Sequence, residues 1–287
     1  MSNTILVTGG AGQLGSEIRV LSKELSDTFY FTDRNELDIT DRDAVFNFFK
    51  DNAIDVVLNC AAYTAVDKAE TEKENADAVN HIAVKILAEA AKMYNAKLLH
   101  VSTDYVFNGE GFKPYGSNDK VSPVNEYGST KLRGEEAIKE VSPKNSVIIR
   151  TSWVYSSFGN NFVKTMLRLG AEKDSLNVIS DQVGSPTYAR DLAEAMLKIY
   201  PLLTNEEVMV YQYTNEGVCS WYDFADAIME IENLDCEVHP IPTEQYPTPA
   251  KRPHYSVMNK TEIKNDFNIS IPHWRNSLKS CLSILTH

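Results

Sequence analysis

Cysteine is scarce and scattered: the four, at 60, 219, 236 and 281, include no Cys-x-x-Cys pair. That spacing speaks against disulfides and zinc, and Cys60 lies inside an apolar stretch, so reduced structural thiols are expected. The six histidines contain no His-x-x-x-His pair, which leaves a metal-dependent hydrolase without a ligand set, and no catalytic metal is expected. Positive charge is in deficit, with 28 basic against 40 acidic residues and a net charge of -12. Neither nucleic acid nor an anionic membrane surface is then expected as a partner. Any bound phosphate must be held locally, by loops, helix ends and a few basic side chains. No apolar run approaches the roughly 18 residues of a membrane-spanning helix. The opening Met1-Ser2-Asn3-Thr4-Ile5 shows neither a charged leader nor a cleavage site, so a cytoplasmic location is expected.

What the chain does have is alternation. β-branched runs at Ile5 to Val7, Phe29 to Phe31, Val56 to Leu58, Leu98 to Val101 and Val147 to Ile149 read as strands. Between them, Gly15 to Leu25, Asp41 to Asp51, Asn75 to Tyr94 and Tyr127 to Glu140 carry helical spacing, with Thr40-Asp41 and Ser142-Pro143 as start and stop signals. Such alternation predicts an α/β fold, a Rossmann-type doubly wound parallel sheet covered by helices. After Trp153 the texture changes: Gly159-Asn160-Asn161, Gly184-Ser185-Pro186 and five prolines between 240 and 253 interrupt the periodicity. A chain of 287 residues, 43% hydrophobic, is long enough for one large domain and a smaller lobe. We expect residues 1–155 to form a dinucleotide-binding domain. Residues 186–215 should pack back onto it, and 156–185 with 216–287 should form a C-terminal substrate-binding lobe.

After the first strand comes Thr8-Gly9-Gly10-Ala11-Gly12-Gln13-Leu14-Gly15. A Gly-x-x-Gly-x-x-Gly run between strand and helix permits a tight turn at Gly9, close backbone approach to a pyrophosphate at Gly12 and close helix packing at Gly15. Alone, it is more often a glycine-rich turn without a ligand. Asp33 follows the second strand, where a carboxylate can accept hydrogen bonds from an adenosine ribose. Arg34 beside it can instead grip a 2′-phosphate, so NADH and NADPH both stay open. Asp38 and Ile39 could cover the adenine, and Ala61, Ala62 and Tyr63 end the third strand where a dinucleotide would pass, though small residues at a strand end are equally ordinary packing.

Tyr127 is the sole one of 14 tyrosines with lysine four residues on. On a helix, Tyr127 and Lys131 share a face, and an ammonium beside a phenol is expected to lower its pKa, making it a proton donor near neutral pH. With the glycine loop and Ser102-Thr103-Asp104-Tyr105, the pair points to nicotinamide-dependent carbonyl chemistry.

Longer strings carry a resemblance. Asn59-Cys60-Ala61-Ala62-Tyr63-Thr64-Ala65-Val66-Asp67-Lys68-Ala69-Glu70, Ser102 to Gly109, Tyr127-Gly128-x-x-Lys131, Arg150 to Tyr155 and Asp181-Gln182-x-Gly184-Ser185-Pro186-Thr187 together resemble the dTDP-4-dehydrorhamnose reductases, a branch of the extended short-chain dehydrogenase/reductases. The resemblance covers nearly the whole chain. It implies NADPH- or NADH-dependent reduction of the C4 ketone of dTDP-4-dehydro-β-L-rhamnose, with Tyr127 donating the proton, Lys131 holding the nicotinamide ribose and Thr103 bonding the ketone oxygen. By the same resemblance, Gln13, Leu14 and Ser102 join the cofactor site. Asp104, Tyr105 and Trp153 contact the sugar nucleotide, and Arg252 in Arg252-Pro253-x-x-Ser256 pairs with its diphosphate. Magnesium at a subunit contact of a homodimer is also implied, with no residues assigned. Two positions depart from the family pattern, Asn108 and Ser117. Two other readings stay open, a noncatalytic regulatory subunit of the same fold and a nucleotide-sugar epimerase or dehydratase. Dehydratases place an Asp-Glu pair after the threonine, whereas Thr103 is followed here by Asp104-Tyr105.

Overall fold

Ile5, Leu6 and Val7 are fully buried, with Ile5 and Val7 on one side of their strand and Leu6 on the other. A strand buried on both faces belongs inside a helix-covered parallel sheet. In the computed structural model, which describes residues 2–285, that strand is β1 (Thr4–Thr8). The others are β2 (Thr28–Thr32), β3 (Val56–Asn59), β4 (Lys97–Thr103), β5 (Ser146–Thr151) and β6 (Met209–Gln212). They form one sheet in the order β6-β5-β4-β3-β1-β2, parallel throughout. The chain reverses its direction of travel between β1 and β3. Ligands of such sheets bind beyond the carboxyl ends of the strands at that switch.

The crossover helices are α1 (Gln13–Leu21), α2 (Arg42–Asn52), α3 (Ala83–Tyr94) and α4 (Glu126–Val141). Asp41 caps α2 by accepting from the Ala44 amide, and Ser142 ends α4 in the left-handed region, as the start and stop signals suggest. Two expected helices differ in detail. The first ends at Leu21 and passes into a 3-10 turn, Ser22–Glu24. The stretch expected as one helix over 75–94 holds a π-helical segment at Ala78–Ile82, for a reason given below.

Beyond Trp153, α5 (Phe162–Glu172), α6 (Ala189–Ile199), α7 (Trp221–Glu232) and α8 (Trp274–Leu285) follow. Leu192, Ala193 and Met196 of α6 share a core with Ile18 of α1. A separate core joins Val163, Phe224, Ile228, Leu278 and Leu282 of α5, α7 and α8. Between these two cores the strand ends open into a cleft.

Candidate active site

The cleft's floor begins at the glycine loop. Gly9 takes a φ of +65°, and a Cβ there would lie 2.8 Å from the Ala61 backbone, so only glycine lets β1 and β3 meet at the switch. At Gly15 a Cβ would meet the Gly9 carbonyl at 2.4 Å, which explains the close seat of α1 on the loop. Gly12 is the N-cap of α1, with no side-chain cap and no acid in the first turn. The Gly12 amide donates to the Gly9 carbonyl at 2.9 Å, which leaves the first-turn amides of α1 and the positive end of its dipole at the cleft, where they suit a pyrophosphate.

At one wall, Asp33 follows β2 and accepts from the Asn35 amide at 2.7 Å. The Arg34 side chain is 87% exposed and 3.5 Å from Asp38, near enough to fold over an adenosine ribose and free enough to swing away. Asp38 is fixed by the Thr40 amide and hydroxyl at 3.0 and 2.6 Å. Opposite, Tyr63 is held through its backbone by Asn80. The Asn80 Oδ1 accepts from the Tyr63 amide at 2.9 Å, and Nδ2 donates to the Tyr63 carbonyl at 3.0 Å and to Thr130 Oγ1 at 3.1 Å. Asn80 lies in the π-helical segment, whose extra residue re-aims the side chain. No sequence spacing announced it.

The other end of the cleft is chemical. Asn125 caps α4 by accepting from the Gly128 amide at 2.8 Å, placing Tyr127 in its first turn and Lys131 one turn on. Gly128 rests on the Tyr105 carbonyl, where a Cβ would approach to 2.3 Å. This contact sets α4 on the turn that follows β4. Thr103 accepts from the Tyr105 amide and donates to Asp104 at 3.0 Å. The Tyr105 and Tyr127 rings meet edge to face, 5.5 Å apart.

Here the electrostatics depart from the sequence expectation. Burial, opposed in part by a hydrogen bond with Thr103, holds the Tyr127 phenol up at about 12. Lys131 does not lower it: its Nζ donates to the Val101 carbonyl at 2.7 Å and lies 3.4 Å from His100. Burial instead depresses Lys131 to about 8, against the pull of Glu135 and Cys60. Tyr127 is therefore a protonated donor at neutral pH. Asp104, also buried, is raised to about 6 against hydrogen bonds from Ser256 and Thr103.

One cleft of about 1040 Å³ is lined by every residue expected at cofactor or substrate except Gly15 and Arg252. Gly15 packs beneath the loop. Arg252 instead grips Asp67 with two hydrogen bonds of 2.8 and 3.0 Å, so no guanidinium faces the cleft from that position. Ser102 lines the cleft but turns its hydroxyl to Glu135 at 2.5 Å, and Glu135 forms a buried pair with Arg150 at 2.7 Å. Sequence reasoning missed Trp221, stacked on Trp153 with centroids 3.7 Å apart, and Phe162, 4.7 Å from Trp221. Both open a helix, α7 and α5 respectively; only that position could have drawn attention to them. Among the described residues, no group of three or more His, Cys, Asp or Glu could hold a metal ion, and none serves the magnesium expectation. No helix there is long and apolar enough to cross a membrane.

This geometry has close relatives. The family described as RmlD substrate binding domain matches residues 3–287. A dTDP-4-dehydrorhamnose reductase of Aggregatibacter actinomycetemcomitans is 43% identical over 96% of this chain and 97% of its own. Among solved structures, the reductase of Clostridium acetobutylicum superposes with a TM-score of 0.94 at 43% identity, covering 99% of this chain and 100% of its own. That of Bacillus anthracis, in complex with NADP, gives 0.93 at 36% identity with the same coverage. The chain belongs to the RmlD substrate-binding-domain family, the family of the dTDP-4-dehydrorhamnose reductases.

Proposed function

We propose that this chain reduces the C4 ketone of dTDP-4-dehydro-β-L-rhamnose to dTDP-β-L-rhamnose, the last step of dTDP-rhamnose biosynthesis for cell-surface polysaccharide, using a nicotinamide cofactor. The observation that carries this reading is one continuous cleft. It has an uncapped helix end and a glycine loop at one end and a protonated phenol beside a threonine hydroxyl at the other. When bound, the nicotinamide supplies the hydride. Tyr127 gives its proton to the oxygen that becomes the C4 hydroxyl, and Thr103 steadies that oxygen. Lys131, fixed on Val101, turns its remaining donor to the nicotinamide ribose.

The sugar lies against the stacked Trp153 and Trp221, with Asp104 and Tyr105 beneath it, in a lobe built from 156–185 and 216–287. Arg252 reaches the diphosphate only by leaving Asp67. Asp33 suits the free ribose of NADH, and the exposed Arg34 head suits the extra phosphate of NADPH, so the reading takes either cofactor. It also includes a homodimer in the cytoplasm.

The test is nicotinamide absorbance decay with purified protein, NADPH or NADH, and substrate generated in the same tube. Decay that needs the sugar nucleotide is expected, and Tyr127→Phe should lower it at least about a hundredfold while cofactor binding persists. Near-normal turnover in that variant would remove Tyr127 from its role. No decay with either cofactor would return the regulatory-subunit reading.

A further inference from the structure

His100 occupies a place where a strand buried on both faces calls for an apolar side chain. It is fully buried in β4, between Leu99 and Val101. An imidazole left there without partners would destabilise the strand. Its partners are equally buried: Nδ1 lies 2.9 Å from Asn59 Nδ2, and Nε2 lies 3.4 Å from Lys131 Nζ. The other end of the Asn59 amide lies 2.6 Å from Thr8 Oγ1. Thr8 is the last residue of β1, directly before Gly9, and its hydroxyl also lies 3.4 Å from the Ala61 amide. A polar chain thus runs from the glycine loop across the ends of β1 and β3 to the middle of β4 and stops at the lysine of α4.

Burial keeps the ring neutral, well below the ordinary histidine range, so one nitrogen donates and the other accepts. The Lys131 ammonium only donates, so Nε2 accepts from it and Nδ1 carries the ring hydrogen, which sets the Asn59 amide with its oxygen accepting from Nδ1 and its nitrogen donating to Thr8 Oγ1. Without the ring, only the Val101 carbonyl would hold the head of a long, flexible side chain.

We propose that His100 is a positioning residue: fastened by Asn59 and Thr8, it fixes Nζ of Lys131 so that the lysine's free donor faces the nicotinamide ribose. The inference rests on the reductase reading for the role of Lys131. Because the chain starts at the glycine loop, it also ties the lysine to the bed on which the dinucleotide lies.

The test uses the full chain with His100→Phe, which removes both ring nitrogens, and His100→Gln, which restores a donor and an acceptor. NADPH affinity is measured by calorimetry and turnover by absorbance decay. In His100→Phe the NADPH Kd should rise and kcat fall, each roughly tenfold, the size of one lost hydrogen bond to a charged group, while the sugar-nucleotide KM stays within about twofold. His100→Gln should recover most of both losses. A folded His100→Phe with Kd and kcat within about twofold of the parent, or a Gln variant as impaired as the Phe variant, would overturn the proposal. Should His100→Phe not fold, Asn59→Ala cuts the fastening behind the ring and must move Kd and kcat the same way; unchanged values overturn it equally. A parent protein without turnover would remove the reductase reading, and the calorimetric comparison would still decide the role of His100.

Discussion

Tyr127 and Lys131 sit one helical turn apart, yet burial rather than their proximity sets their proton affinities. Desolvation disfavours the charged form of each, so the phenol rises to about 12 and the ammonium falls to about 8. The lysine shift has a sign that can be measured. An unfolded lysine titrates near about 10.4, so between about 8 and that value the unfolded chain binds more protons than the native one, and stability rises with pH. Below that window the cost of burying the ammonium is present in full. Lys131→Met lacks this term. The stability of the parent relative to Lys131→Met should therefore improve on going from pH 7 to pH 10, as read by urea unfolding of both proteins at each pH. A difference that stays flat or worsens would show that Lys131 is not depressed. At this scale the sequence was legible where spacing carries meaning, as in the glycine loop and the Tyr-x-x-x-Lys pair. It was silent on Asn59, Asn80 and His100, because a polar residue amid apolar ones gives no sign of which strand neighbour will satisfy it.

At the scale of elements, α4 is tied to the sheet by a charge pair. Glu135 and Arg150 are 0% and 2% exposed, joined by hydrogen bonds of 2.9 and 2.7 Å, with Ser102 on the same carboxylate. Arg150 also donates to the Ser117 carbonyl at 3.1 Å and lies over the Phe107 ring, so one side chain links β5, α4, the end of β4 and the loop beyond it. Removing one partner strands a buried charge, which typically costs about 3–5 kcal/mol. Glu135→Leu should lower urea-unfolding stability by about that amount, whereas Glu135→Leu with Arg150→Leu should recover most of it, since replacing both charges is often neutral. A loss below about 1 kcal/mol in the single variant would mean that water or another side chain takes over the guanidinium. Strands and helices of the first half followed the sequence pattern to within a few residues. β6 did not, because a four-residue edge strand with an exposed Met209 offers almost no periodicity. Nor did the π-helical segment, whose Asn80 bonds the backbone of Tyr63, a contact between distant stretches that no local spacing reports.

At the scale of the whole molecule, the proline-rich segment before Ser256 is clasped against Asp67, which follows β3, and Asn125, which caps α4. Asp67 accepts from both terminal nitrogens of Arg252 and from the Ala250 amide at 3.1 Å, while Asn125 donates to the Lys251 carbonyl at 2.7 Å. The Asp67 carboxyl is held below its usual range, first by the Arg252 hydrogen bonds. Asn125 caps the helix that carries Tyr127, so the clasp touches that helix at its first turn. The Asp67 and Arg252 side chains are 39% and 22% exposed, and a pair so wetted contributes at most about 1 kcal/mol to global stability. Its consequence should instead appear in how the lobe meets its ligand. Asp67→Ala should leave the unfolding free energy within about 1 kcal/mol of the parent and the cofactor KM unchanged, yet raise the sugar-nucleotide KM roughly tenfold. The exchange of charges, Asp67→Arg with Arg252→Asp, should restore much of that loss if the clasp itself matters. If Arg252 also serves the diphosphate, the exchange will fail while Asp67→Ala alone behaves as expected. Equal rises in both KM values would place the clasp's effect on the cofactor bed, and no rise in either would reduce it to a surface ion pair.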